Sequence, residues 1–556
     1  MAYVAPNSTI KLLRNVPLEP DYVNTLTFAT TSAQTTYFSG KAKYTLTAQS
    51  YQRSNKGVCR VNYKVEDLYD INYMMFQNTS FGTKWFYAFV TQVDYVNNVT
   101  ADVHYEIDVM QTWLKDMSLR MCFVEREHSG SDNIGDNIVA EPIDTGELVF
   151  NNYEEFDTAL NTMAICVLTV DTSGQASGMP KDGIYSGATM RFYGNTQTGI
   201  GYLNAYLDTF NQKPDAIVGI YMLPVTCMDA TARASLDTED GATIVFSTQC
   251  EDYDYPVSAT PNKWKLNTTD TIDGHVVRNK KLFTYPYNYL HIDNANGRSL
   301  ALRYEFFTNS SGVRNLNPQF KMFSNICMPV TVVLRPKNYK GVKNNDFCKT
   351  ESIDLTQYPM CSWNMDSWKA WVAQNAIPEA ISAYTSVFNA VGNGVSSIIG
   401  MSTNKSKNYD NSAAIASEAS AGAGMGVEIV GGILTRAYKA SIKADMIRGS
   451  LNNANINVSS HTQNFYIGRV SVNAQQAKII DDFFDKYGYA TNEVKVPNVN
   501  SRTSWNYVKT IGSNVDGNIP GDHKRIIDAN FDKGITFWHD PAHVDDYSQN
   551  NAPVSP

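Results

Sequence analysis

The clearest pattern along the chain is a run without charge from Ala380 to Asn404. Within and just before it, Ile377, Ile381, Tyr384, Phe388, Val391, Val395 and Ile398 follow at alternating steps of four and three, which draws one stripe down an α-helix. At ~1.5 Å per residue such a helix reaches roughly 35 Å, slightly more than the ~30 Å hydrocarbon core of a bilayer. The opposite face carries Ser382, Ser386, Asn389, Asn393, Ser396 and Ser397, a choice that does not suit lipid on every side. Ile399 extends the run. A second weakly charged run follows from Ala419 to Leu434, where Gly422, Gly424, Gly426, Gly431 and Gly432 accompany Val427, Ile429, Val430, Ile433 and Leu434, with Glu428 as the only ionisable group. Ser412, Ala416, Ser420 and Gly424 have the small-xxx-small spacing that lets helix backbones approach closely. Between the runs, Thr403 to Asp410 is polar and carries Lys405 and Lys407. The unit is apolar arm, polar tip, apolar arm. From the residues alone it is either an αα-hairpin buried in a bundle or a loop that acts on membranes. Its glycine and serine density argues against a permanent span, since these residues weaken helicity and insertion.

Elsewhere the pattern changes from helical to alternating. Trp85 to Tyr95, then Asn97 and Asn98, then Val99 to Val109 predict a strand, a tight turn and a strand. In the second strand Val103, Tyr105, Ile107 and Val109 alternate with Asp102, His104, Glu106 and Asp108. The polar side is either an ordinary solvated sheet face or the lining of a tube, with Asp102, Glu106 and Asp108 as the candidate lumen carboxylates. Lys115 to Glu127 continues as an extended segment, with Leu119, Met121 and Phe123 as its apolar set. From Ser129 to Ser367 short strand patterns, among them Ala164 to Val170, Ala216 to Leu223 and Val330 to Leu334, are separated by turn-rich pieces without a repeat. Trp363, Trp368 and Trp371 precede the apolar run as core anchors or as an interfacial belt. After it, Thr435 to Arg448 predicts a basic helix stopped by Gly449. Phe465 to Val472 predicts a strand, and Ala474 to Tyr487 an amphipathic helix closed by Gly488. Tyr547 to Pro556 is expected to fray.

Composition supports a mainly β chain with some α, of α+β type and several domains. It has 556 residues, only 18% of them charged, with 33 tyrosines and 24 phenylalanines, a balance suited to strands and to subunit contacts. The net charge of -9 argues against sequence-independent wrapping of nucleic acid, though not against a passive conduit for it. Cys59, Cys122, Cys166, Cys227, Cys250, Cys327, Cys348 and Cys361 show neither close pairs nor metal spacing, so free thiols are expected. Met1 to Ile10 lacks the basic and apolar regions of a secretory signal.

No enzyme signature rises above chance. Gly422 to Gly426 lacks nucleotide-loop spacing, and Ser402 to Lys405 matches an SxxK pattern only formally. Cys122, Glu125, Glu127 and His128 are compact in sequence, but alternation along a strand turns the two glutamates away from His128. Asp237, Glu239 and Asp240 lack calcium-loop spacing, and the His291 and Asp293 pair is unspecific. Neither catalysis, a metal nor a cofactor is expected.

Several blocks carry a resemblance: Ile71 to Asn78, Lys84 to Thr91, His104 to Trp113 and Phe123 to His128, then Phe483 to Tyr489, Trp505 to Val508 and Phe531 to His539. They resemble the tail-knob, or distal tube, proteins of short-tailed φ29-like bacteriophages. Residues 133–367 contribute no motif to this likeness. The resemblance implies a homohexameric, strand-rich tubular subunit at the tail tip, with a long helical apolar hairpin inserted in it. It also implies that the hairpin plugs the lumen, leaves it during ejection and helps form a conduit through the host membrane. The apolar unit lies between the same two flanking blocks, so the resemblance favours a membrane-active loop of Ile377, Ile381, Tyr384, Phe388, Val391, Val395, Ile398, Ile399, Val427, Ile429, Val430, Ile433 and Leu434. The expected organisation is a β-rich tube part over 1–130, a β-rich middle over 131–367, the loop with its flanking helix over 368–460, and a return to the tube domain over 461–556. Expected partners are other copies of the chain, the collar or upper tube and tip proteins, host membrane lipid, and viral DNA in transit without sequence preference. The rival reading is a receptor-binding or wall-degrading tail component; a free pore-forming toxin is disfavoured by the missing export signal.

Overall fold

The structure is a computed structural model that describes residues 7–49, 57–156, 163–170, 188–209, 217–243, 253–255, 263–363, 449–452 and 464–554, apart from 81, 229, 268, 295, 325–329, 343–346, 356–357 and 359 within these. It is mainly β with helices, and it divides into two compact units. The first comprises Met1–Glu147, Thr268–Thr284 and Val472–Pro556; the second comprises Leu148–Asn267 and Tyr285–Ser471.

The first unit contains a six-stranded antiparallel sheet in the order Ala42–Gln49, Ser8–Arg14, Ile71–Asn78, Phe86–Asn97, Thr100–Ile107 and Val58–Val61. The sheet curls. Tyr44 of one edge strand stacks on Tyr63, just beyond the other edge strand, at 4.1 Å between ring centroids. Ile10, Leu12, Met74, Phe76, Ala101 and Val103 fill the inside of the curl. Its other face, through Tyr73, Met75, Tyr87 and Phe89, shares a core with Phe38, Trp505, Phe531, Phe537 and Trp538.

That second core brings in a five-stranded sheet in the order Asn24–Leu26, Ile535–Trp538, Trp505–Ile511, Cys122–Glu127 and Tyr489–Lys495. Strands from both ends of the chain therefore share one layer. The Ala474–Tyr487 helix has the predicted limits, capped by Asn473, whose side chain accepts the Gln476 N–H at 2.8 Å. Gly488 closes it at φ 66°, and a Cβ there would lie 2.4 Å from the Glu127 carbonyl oxygen.

Two expectations fail in this unit. The strand predicted to run to Val109 stops at Ile107, because Asp108 caps the short helix Val109–Trp113 instead. Residues 547–554, expected to fray, are held in place. Tyr547 packs edge-on against Trp505 and Trp538, with centroids at 5.3 and 5.1 Å, and the Asn551 side-chain oxygen accepts the N–H groups of Ser504 and Trp505 at 3.0 Å each.

The second unit holds a six-stranded sheet ordered Ala242–Thr243, Ala188–Gly194, Met163–Val170, Ile217–Pro224, Met360–Trp363 and Gly449–Asn452. A four-stranded sheet runs Leu148–Glu155, Tyr466–Val472, Asn288–Asp293 and Ser299–Leu302, and another Tyr253–Tyr255, Phe320–Ser324, Val332–Pro336 and Ile353–Leu355. The strands expected at Ala164, Ala216 and Phe465 are present within a residue or two. The one expected from Val330 begins at Val332 and runs on to Pro336.

Candidate loop stem and lumen-facing surface

All the apolar positions of the expected membrane-active loop, from Ile377, Ile381, Tyr384, Phe388, Val391, Val395, Ile398 and Ile399 to Val427, Ile429, Val430, Ile433 and Leu434, lie outside the described residues, as do Trp368, Trp371 and the helix expected over Thr435 to Arg448. Among the described residues no helix is long and apolar enough to cross a membrane. The structure does describe where this segment begins and ends. Met360–Trp363 pairs antiparallel with Gly449–Asn452, in the register Met360 to Asn452, Cys361 to Leu451, Ser362 to Ser450 and Trp363 to Gly449. Neighbouring strands lie about 4.8 Å apart. Residues 364–448 thus leave and re-enter the sheet at one place. Met360–Trp363 is in turn hydrogen-bonded to Ile217–Pro224, so the two stem strands are the last two of an anchored sheet whose core holds Cys166, Val167, Phe192 and Tyr221.

The expected row of acidic side chains divides into three environments. Arg60 donates to both carboxylate oxygens of Asp102, at 2.8 Å each, and this forked hydrogen bond holds the Asp102 carboxyl below its ordinary range. Asp94 stands opposite Asp102 in the hairpin register, and His104 Nε2 lies 2.8 Å from Asp94 Oδ2. Glu106 is exposed. Asp108 leaves the row altogether: it is 1% exposed, accepts the Gln111 N–H at 2.9 Å and the Tyr73 hydroxyl at 2.7 Å, and burial pushes its carboxyl up to about 6. It cannot line a lumen, since its oxygens are committed to capping inside the core. Asp102 and Glu106 remain on the surface. The compensating Arg60 and the additional carboxylate of Asp94 sit on adjacent strands, so nothing in the local pattern announced them.

The compact group near Cys122 is structural. Burial drives the His128 imidazole down to about 3, which leaves it neutral. Its Nδ1 accepts the Tyr507 N–H at 2.7 Å and its Nε2 donates to the Asp485 carbonyl at 3.0 Å, so both ring nitrogens are occupied by backbone. Glu127 accepts the Asn498 N–H and pairs with Lys495 at 2.7 Å, while Glu125 pairs with Lys509 at 2.9 Å. Burial raises the Cys122 thiol. Asp237 accepts the Thr196 hydroxyl, and His291 lies 3.4 Å from Asp293. Among the described residues no group of three His, Cys, Asp or Glu side chains is arranged to hold a metal ion.

Sequence reasoning missed two features of the first unit. One is a buried charge cluster in which Glu141 accepts from Arg126, Lys281 and the Ala490 N–H, beside Asp481, which takes the N–H groups of Arg278 and Asn279 at 3.0 Å each and the His275 ring at 2.7 Å. These bonds fasten Thr268–Thr284 to the Ala474–Tyr487 helix. The other is an exposed apolar row. Phe123 is the register partner of both Val494 and Ile511, and with Met121 and Val496 nearby it makes a patch in which Met121, Val494 and Ile511 are each more than half exposed. Outward-facing apolar clusters of this kind mark interaction surfaces.

Residues 253–552 match the family described as Bacillus phage phi29, Tail knob protein gp9, C-terminal domain, and residues 6–118 match the Caudoviral major tail protein N-terminus. The chain is 25% identical to the tail knob protein gp9 of Bacillus phage phi29 and to that of Bacillus phage B103, over 99% of this chain and 100% of each relative. Its fold is similar to that of the bacteriophage C1 tail knob protein, gp12, with a TM-score of 0.58 and 15% identity over 98% of this chain and 100% of that one.

Proposed function

The chain belongs to the phi29 tail knob protein gp9 C-terminal domain family, and from that premise we propose that six copies form a DNA-conducting tube whose apolar loops plug the lumen and then enter the host membrane as a channel for genome delivery. It is a component of the virion tail at its distal region, made in the cytoplasm of the host, and it works among other tail proteins.

The observation that carries the loop's role is the stem. Because Trp363 and Gly449 are register partners, the strands that flank residues 364–448 are adjacent in the sheet. A segment whose two ends start from adjacent strands can swing out without drawing strands from the sheet. Inside a ring the stripes of Ile381, Phe388, Val395 and their neighbours face one another, each large side chain hidden from water contributing about 1.5–3 kcal/mol. Expelled by pressurised DNA, the same stripes find an equivalent apolar environment in a bilayer. Serine and asparagine on the opposite face then line a wet pore.

Two surface features support the conduit. Asp94, Asp102 and exposed Glu106 against the single Arg60 leave this face acidic on balance, so that it repels a phosphate backbone and lets it pass without adhering. The row of Met121, Phe123, Val494, Val496 and Ile511 offers an apolar contact between subunits.

Dye-loaded liposomes test this reading. Deleting Ala376 to Leu434 is expected to abolish leakage while rings remain visible by electron microscopy; leakage that survives the deletion refutes the loop assignment.

A further inference from the structure

The second unit carries an exposed aromatic surface. It lies on the edge strand Leu148–Glu155 of the sheet that continues through Tyr466–Val472 and Asn288–Asp293. In an unbroken strand, residues three apart point to opposite faces. Here Asn152 takes a left-handed φ of 54°, and the break in alternation brings the Phe150 and Tyr153 rings together at 5.6 Å, edge to face. Phe150 is 55% exposed and Tyr153 43%.

The neighbours hold both rings in place. Tyr153 stacks on Tyr466 at 5.7 Å with 15° between planes, and it lies over Gly468, where a Cβ would come within 2.6 Å of its ring. Its hydroxyl donates to Asp293 Oδ2. The His291 ring stands perpendicular to Phe150 at 5.4 Å and 3.4 Å from the Asp293 carboxylate. Two solvent-facing rings are therefore fixed beside an oriented carboxylate and an imidazole.

We infer that this surface binds a neutral polysaccharide, the exposed rings of Phe150 and Tyr153 packing against the C–H faces of sugar residues while Asp293 and His291 take their hydroxyls. Ring faces carry a negative quadrupole that attracts polarised C–H groups, and carboxylates are strong acceptors for O–H donors. The Asp293 carboxylate beside the rings disfavours an anionic ligand such as nucleic acid or a phosphate polymer. An added protein strand is also disfavoured, because the left-handed residue interrupts the ladder that an edge strand would offer. The site is independent of the loop.

Co-sedimentation of the full-length protein with an insoluble N-acetylglucosamine polymer, and separately with extracted neutral wall polysaccharide immobilised on beads, tests this and shows which source supplies the sugar. Retention on either, relieved by a soluble N-acetylglucosamine hexamer or by the extracted polysaccharide, is expected, with at least a tenfold loss in Phe150→Ala and in Tyr153→Ala and near-normal binding in Phe150→Tyr. Phe150 is exposed, so Phe150→Ala is expected to keep the wild-type circular dichroism, ring assembly and liposome leakage. Absence of wild-type retention on both materials, equal retention by both alanine variants, or loss of ring assembly in Phe150→Ala overturns the proposal, the last by making the patch a subunit contact.

Discussion

Trp363 and Gly449 face one another in a single antiparallel ladder, although the whole apolar unit of the chain lies between them in sequence. The root is continuous with an anchored six-stranded sheet, so changes within the unit are separable from the fold that carries it. Val391→Asp together with Val395→Asp is therefore expected to reduce liposome leakage at least tenfold, since a charge at a helix centre costs about 2.5–3.5 kcal/mol on insertion scales. Tube assembly, followed by electron microscopy, is expected to persist. Loss of the ring in this double variant instead makes the stripe structural core.

The conduit wall yields a second prediction. Asp102→Lys with Glu106→Lys turns an acidic surface basic, and Arg60 is left without its carboxylate partner. Purified tubes of this variant are expected to retain double-stranded DNA at low salt and release it as salt rises, whereas the wild type retains little. Equal retention by both places these residues away from the DNA path.

Acid sensitivity follows from His128. Its imidazole is pushed down to about 3 by burial, against 6.5 in the ordinary state. The unfolded chain takes up a proton below pH 6.5 that the folded chain refuses until about 3, so this group's contribution is complete above 6.5 and is lost as pH falls toward 3. The slope is about 1.4 kcal/mol per pH unit. Asp108 has the opposite sign. Raised to about 6, it prefers its proton in the folded state, and the penalty for burying its charge is relieved as pH falls. Denaturant midpoints between pH 7 and 4 are expected to fall less steeply in His128→Gln than in the wild type, and the difference between Asp108→Asn and the wild type to shrink toward pH 4. Parallel curves for all three contradict the assignment.

Assembly depends on the outward row of the five-stranded sheet. Val494 and Ile511 are 64% and 58% exposed, so Val494→Asp with Ile511→Asp is expected to leave the unfolding midpoint within about 0.5 kcal/mol per site. Light scattering is expected to show rings replaced by smaller species. Intact rings assign the contact to another surface.

What was legible in the sequence was local. The Ala474–Tyr487 helix announces itself by its apolar period, an Asn473 cap and Gly488, all within one short window. The hairpin turn is equally local but falls one residue later than expected: Asn97 ends its strand and pairs with Thr100, which leaves Asn98 and Val99 as the turn. The Val109–Trp113 helix was missed because the alternation of Val103, Tyr105 and Ile107 runs on without a visible break, and a five-residue helix is too short to show a period. Asp108 followed three residues later by Gln111, close to a capping-box spacing, was the available signal. Tyr547 looked free because Trp505 and Trp538, which hold it, are defined only by the fold. The same holds for the acidic row. Asp102 was visible, but its neutralising Arg60 lies on a strand paired with it only in three dimensions. The stripe of the loop lies outside the described residues, and the pairing of Trp363 with Gly449 could not be read, since no local pattern links residues so far apart.

The most direct measurement is the depth at which the loop meets lipid. A fluorophore placed at position 395 in assembled tubes is expected to be quenched by a bilayer-centred quencher once leakage begins, while one at position 450 in the stem stays unquenched. Leakage without quenching at 395 contradicts the account, because the apolar stripe would then remain inside the particle while the membrane opens.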